Sequence, residues 1–224
     1  MLEGKGILTP GQRAILSLLG RVPDIPHFYL TGGTALAEFY LGHRRSFDLD
    51  LFTAQETLIR PVSLEIEHRF REQGWPVRVT RRFATFVEMV VTVEDEDVRV
   101  DLALDTPFRF APPEPSVYGV PVNDLEDLKA EKTLAYYGRA EMRDAVDLYF
   151  LLRQFPPEAL MDLAAQKDAG FDRYWFAVAL QKAETFPDDL SRWPVVMLQP
   201  FEPRDLKTRF LTLARHIMDS ITGG

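Results

Sequence analysis

The chain contains no cysteine. Disulfides, thiolate nucleophiles and zinc thiolate sites are excluded together, and the absence is what a reducing compartment permits. No apolar run approaches the roughly 18 residues of a membrane helix. Nor does an apolar segment follow a basic start, so no signal peptide and no membrane partner are expected, and the expected location is cytoplasmic. Lysine is scarce: 20 of the 26 basic residues are arginine and six are lysine, so each lysine is worth individual attention. Positive charge is also short overall. With 34 acidic residues against 26 basic ones the formal net charge is -8, and the surface as a whole repels a phosphate backbone. Any nucleic-acid contact must therefore be local.

What the chain does have is an ordinary globular composition. Its 224 residues are 46% apolar and 27% charged, enough for one large domain or two small ones. The charge is uneven: residues 41 to 82 sum to +2 and residues 83 to 127 to -9, so the acidity is concentrated in one stretch. Thr9 and Pro10 start a helix. Phe28 to Leu30 reads as a strand, Thr34 to Leu41 as a helix, Phe47 to Phe52 as an alternating strand and Val62 to Gln73 as a helix. Phe86 to Val93 and Val98 to Leu104 flank an acidic turn and predict an antiparallel hairpin. The expected class is α+β, a mixed sheet with helices beside it. Five prolines between Pro107 and Pro121 mark a connector. Beyond it Asn123 and Glu126 fit a helix cap, and four further helices are expected near 142 to 154, 157 to 167, 172 to 184 and 204 to 220. The predicted division is an α/β core over residues 1–121 and a helical region over 122–224.

Three groups of residues carry chemistry. In a strand, residues two apart share a face, so Asp48 and Asp50 project together opposite Leu49 and Leu51. Two adjacent carboxylates repel unless water or a hard cation such as magnesium screens them. The later strand places Asp101 and Asp105 opposite Val98, Val100 and Leu102. If the two strands are neighbours, Asp101 completes a triad able to hold two metals about 3.5 to 4 Å apart, as in phosphoryl transfer. Asp105, at the strand end, is the less favoured third ligand. The second group is the turn Gly32, Gly33 and Thr34, between strand and helix, where backbone N–H groups and the helix dipole make an anion site. His43, Arg44, Arg45 and Ser46 follow, immediately before the aspartates. A metal-bound polyphosphate accounts for these features jointly; for the arginines alone, a solvated loop is the competing reading. The third group is Lys132, in the middle of an apolar helical stripe, with Asp144 and Asp147 facing inward on the next helix. Lys132 either pairs with one of those aspartates, or meets a substrate anion, or does both.

The strings GGTALA, HRRSFDLDLF and DLKAEKTLAYYGRAEMRDAVDLYFLL resemble the nucleotidyltransferases of the AbiEii type, the toxin half of abortive-infection toxin–antitoxin pairs within the DNA polymerase β-like nucleotidyltransferase superfamily. The likeness spans roughly residues 28 to 153. It implies a mixed-sheet nucleotidyltransferase core followed by helices, transfer of a nucleotide from an NTP with release of pyrophosphate, RNA such as a tRNA 3′ end as acceptor, and an antitoxin partner. Carried onto this chain, Asp48 and Asp50 hold magnesium, and the strand alternation described above, not the family pattern, supplies Asp101 as third carboxylate and base. Gly32, Gly33, Thr34, Arg44, Ser46 and Lys132 hold the nucleotide, and Asp144 and Asp147 position Lys132 or contact the nucleotide. The rival readings are the same chemistry on a protein or a small molecule, and a nucleotidyltransferase-like protein that binds without turnover.

Overall fold

A computed structural model describes residues 1–222. The chain forms two compact units, Met1–Leu125 and a second beginning at Glu126. The first is built on a five-stranded mixed sheet of order β1-β2-β5-β4-β3, with β1 at Tyr29–Thr31, β2 at Asp48–Thr53, β3 at Val77–Arg82, β4 at Phe86–Val93 and β5 at Glu96–Leu104. β2 and β5 run parallel, and the β1–β2, β4–β5 and β3–β4 pairs are antiparallel. The expected hairpin closes in two residues, Glu94 and Asp95, with Val93 facing Glu96.

Alternation decides which face is covered. Leu49, Leu51, Val87, Met89, Val91, Val98, Val100 and Leu102 are fully buried. Against this face pack Ile15, Leu16 and Leu19 of α1 (Pro10–Leu19) and Ile59, Val62, Ile66 and Phe70 of α3 (Glu56–Glu72). Burying each such side chain stabilises the fold by about 1.5–3 kcal/mol. α1 begins with the expected Thr9 cap, whose hydroxyl accepts from the Gln12 N–H while the Gln12 side chain returns a bond to Thr9. α3 starts six residues before Val62 and runs through Pro61. The proline forfeits one intrahelical hydrogen bond, and the buried apolar stripe on both sides of it offsets that loss.

The predicted helix at 34–41 begins earlier, as α2 (Gly32–Ala35), and continues as a wider π-helical turn from Leu36 to Leu41. Gly42 ends it in the left-handed region at φ 65°. Within the π-helical turn, Glu38 is fully buried and its carboxylate accepts the backbone N–H groups of Gly6, Ile7 and Leu8, tying down the N-terminal segment.

The proline-rich stretch does not behave as a free connector. Glu114 and Val122 exchange backbone hydrogen bonds of 2.8 Å in both directions, and Leu30 of β1 donates to Pro121 and accepts from Asn123, each at 2.8 Å. The segment thus pairs beside β1 as far as Asn123, and the division between units falls after Leu125. The Asn123 side chain bridges the Thr31 hydroxyl at 2.9 Å and the Arg109 guanidinium.

The second unit consists of α4 (Leu125–Arg139), α5 (Met142–Leu152), α6 (Pro157–Lys167), α7 (Arg173–Gln181) and α8 (Pro203–Thr222). Tyr136 of α4 meets Phe210 of α8 edge to face at 5.1 Å. Tyr149, Phe150, Trp193 and Phe201 form a second aromatic cluster. Buried Lys167 joins α6 to Asp127 and Glu131 of α4. Among the described residues, no helix is long and apolar enough to cross a membrane.

Candidate active site

The other face of the sheet gathers the acidic residues. Asp50 is the register partner of Thr31 on one side and of Asp101 on the other, and Asp101 is in turn the partner of Glu88. Asp48, two residues before Asp50 on the same face, stands opposite Arg99. β2 and β5 are therefore the neighbours that the triad requires, and Asp48, Asp50 and Asp101 lie on one surface. Asp105 is engaged elsewhere: its carboxylate accepts from the Tyr29 hydroxyl and from the Thr106 N–H at 2.8 Å. Of the two candidates for the third carboxylate, only Asp101 is in register with Asp50.

Asp101 is 8% exposed, and its Oδ1 is buried without a hydrogen-bond partner. Burial raises its carboxyl to about 7; Arg99 opposes the rise, and Asp50, Glu88 and Asp48 add to it. Arg99 is the functional candidate that the motif reading missed. Its Nη2 donates to Asp48 Oδ2 at 2.5 Å and its Nε lies 3.4 Å from Asp101 Oδ2. The available signal was its position two residues before Asp101, which places both on one strand face.

The glycine turn has a steric origin. Gly32 sits at φ +71°, and a Cβ there would stand 2.2 Å from Asp50 Oδ2. A Cβ on Gly33 would meet Arg44 Nη2 at 2.6 Å and Ser46 Oγ at 2.8 Å. The two glycines are what let the carboxylate on one side, and the guanidinium and hydroxyl on the other, close on the backbone. Arg44 is buried and donates to the Arg45 carbonyl at 3.0 Å, whereas Arg45 is exposed. Thr34 was expected to offer its hydroxyl to an anion. Instead it is buried and donates to the backbone carbonyl of Asp48, fixing the helix to the start of β2.

The lysine group lies in the second unit. Lys132 and Asp147 form a buried pair, Nζ to Oδ2 at 2.9 Å, with side chains 9% and 0% exposed. Asp144 has a different partner: Arg139 grips it in a bidentate pair at 2.6 and 2.7 Å. Of the two aspartates left open for Lys132, Asp147 is the one that holds it. Lys129 is also buried, with its ammonium 4.2 Å above the Phe155 ring and 2.5 Å from Glu126.

Among the described residues, no three acid, histidine or cysteine side chains already converge as a metal cage, and Asp48 is paired with Arg99. The donor set nevertheless fits a hard divalent cation. It consists of carboxylate oxygens on one face, and a buried oxygen of Asp101 has no protein donor.

Comparison with known proteins follows the same lines. The fold is similar to the nucleotidyltransferase toxin MenT4 from Mycobacterium tuberculosis H37Rv, with TM-score 0.63 and 20% identity over 93% of this chain and 82% of that one. It is also similar to JHP933 from Helicobacter pylori, with TM-score 0.59 and 20% identity over 95% of this chain and 90% of that one. At these identities the likeness establishes the fold. No curated protein matches the sequence. Residues 13–219 match the family described as nucleotidyl transferase AbiEii toxin, type IV toxin–antitoxin system. The chain therefore belongs to the AbiEii family and is a nucleotidyltransferase toxin of a type IV toxin–antitoxin system.

Proposed function

We propose that this enzyme transfers a nucleoside monophosphate from an NTP to a hydroxyl of RNA, such as a tRNA 3′ end, with magnesium held by Asp48, Asp50 and Asp101. The observation that carries the proposal is the register of β2 against β5, which puts three carboxylates on one face, one of them with an unpartnered oxygen. A bound cation would neutralise phosphate charge and polarise the oxygens at the reacting phosphorus. The chain's own groups do the rest. The α2 N-terminus, free of any side-chain cap, offers backbone N–H groups to phosphate, and Gly32 and Gly33 allow close approach. Arg44 and Ser46, packed on Gly33, add a guanidinium and a hydroxyl. Lys132 is assigned to the triphosphate on the strength of its place in the family pattern, with Asp147 orienting its ammonium. Asp144 supports that region by holding Arg139. Asp101 receives the proton of the attacking hydroxyl, the hydroxyl oxygen bonds to the α-phosphorus, and pyrophosphate leaves.

An RNA acceptor is supported by the positive balance of residues 41 to 82, which include Arg44, Asp48 and Asp50, within a chain of net charge -8. The family implies a cognate antitoxin, and the cysteine-free composition supports a cytoplasmic location. The test is incubation with each α-labelled NTP, magnesium and fractionated lysate. Label in the RNA fraction that Asp48→Ala abolishes supports the proposal. Label that Asp48→Ala leaves unchanged sinks the site, and label confined to protein or small molecules sinks the acceptor.

A further inference from the structure

We infer that Arg99 is an internal cation that competes with the divalent metal for the carboxylate face, holding Asp48 and Asp101 until the metal takes them. The inference rests on the metal reading of Asp48, Asp50 and Asp101 given above.

The geometry of Arg99 is that of a temporary partner. It makes one short bond, Nη2 to Asp48 Oδ2 at 2.5 Å, and one loose contact, Nε to Asp101 Oδ2 at 3.4 Å. Both Arg99 Nε and Asp101 Oδ1 are buried with no hydrogen-bond partner. A salt bridge built only for stability would be expected to satisfy the deeper carboxylate, because an unsatisfied buried group is costly. Here the better bond goes to the shallower one. The Arg99 side chain is 41% exposed and that of Asp48 27%, so the guanidinium lies at the water edge and can swing out on its flexible stem.

The electrostatics favour exclusive occupancy. Three carboxylates on one face repel one another, and Arg99 relieves that repulsion. A divalent cation relieves it more strongly, but a guanidinium and a cation on the same Asp48 carboxylate repel each other at short range. Metal entry therefore expels Arg99, and Arg99 weakens metal binding by the free energy of its own contacts. For partly exposed pairs this corresponds to a change in affinity of up to about fivefold.

The test is calorimetric titration of the full chain with Mn²⁺, in wild type, Arg99→Ala, Arg99→Gln and Asp48→Ala. Both arginine variants are expected to bind Mn²⁺ more tightly than wild type, by up to about fivefold, and Asp48→Ala to bind it weakly. A second readout is the Arg99 Nε–Hε signal in NMR spectra, assigned by its loss in Arg99→Lys. On addition of Mg²⁺ it should move with the midpoint of the binding curve. Unchanged or weaker Mn²⁺ binding in the arginine variants overturns the inference, as does a signal that stays fixed while Mg²⁺ saturates the site. If Arg99→Ala and Arg99→Gln do not fold, the wild-type signal, assigned through the conservative Arg99→Lys, decides. Failure of wild type to bind Mn²⁺ at all overturns the metal reading and this inference with it, a result distinct from tight binding that ignores Arg99.

Discussion

Asp50 and Asp101 are partners across a parallel strand pair, although a helix and two strands separate them along the chain. That register makes the acidic face a site instead of two unrelated acidic strands. Since β2 and β5 are central in the sheet, their backbone is paired on both sides and the carboxylates are held on a rigid support.

Removing a carboxylate should cost catalysis more than stability. Asp48→Ala and Asp50→Ala are expected to lower nucleotide transfer by at least ~100-fold, in the range seen when a charge-stabilising group is lost. Both side chains are only partly buried, so melting temperatures in EDTA should change little. Magnesium should raise the wild-type melting temperature through selective binding to the folded state, and the rise should disappear in both variants.

The stability of metal-free protein should depend on Asp101. Its carboxyl is raised from 3.8 to about 7, so the folded state binds that proton more tightly than the unfolded state does. The stabilisation is complete below about pH 4 and is lost as pH rises toward 7. Urea unfolding in EDTA should show wild type falling in stability between pH 5 and 8, on the order of a few kcal/mol at most. Asp101→Asn, which stays neutral, should flatten that slope and be the more stable protein at pH 8. A wild-type slope that persists unchanged in Asp101→Asn would show that another group controls it.

Gly32 and Gly33 should fail for different reasons. Gly32→Ala combines a left-handed backbone with a collision against the Asp50 carboxylate, and about 1–2 kcal/mol of stability should be lost together with activity. Gly33→Ala has no backbone penalty of that kind but pushes on Arg44 and Ser46. A smaller change in stability with a raised KM for NTP is expected, measured by denaturation and steady-state kinetics.

The Lys132–Asp147 pair separates structure from chemistry. Asp147→Ala leaves a buried ammonium without its partner and should destabilise by about 3–5 kcal/mol. Lys132→Met keeps the apolar stem and removes the charge, but leaves the Asp147 carboxylate buried. Lys132→Met with Asp147→Leu removes both charges and should fold nearly as well as wild type while losing transfer activity. Thermal unfolding of the three variants beside the labelling assay checks the order.

Much of the acidic face was legible in the sequence. The two-residue period separates Leu49 and Leu51 from Asp48 and Asp50, and Val98, Val100 and Leu102 from Asp101, and both strands form with those faces. Lys132 stood out because a charge in an apolar stripe demands a partner. The partner itself was not legible: Asp144 and Asp147 lie one turn apart, and only the packing of α5 on α4 sends one to Lys132 and the other to Arg139. The prolines from 107 to 121 did not reveal that their segment pairs with Leu2 and with β1. Proline lacks an N–H but keeps its carbonyl, and Pro115 and Pro121 use theirs to accept from Leu2 and Leu30.

By itself, then, the sequence determined the local periods, the turn glycines, the motif residues and the family, since these depend on neighbours a few residues apart. The tertiary structure alone decided that β5 lies beside β2, that Asp101 and not Asp105 faces Asp50, and that Arg99 reaches Asp48. Those are contacts between distant parts of the chain. Strand order and register follow from how whole elements bury their apolar faces together, and no local pattern encodes that choice.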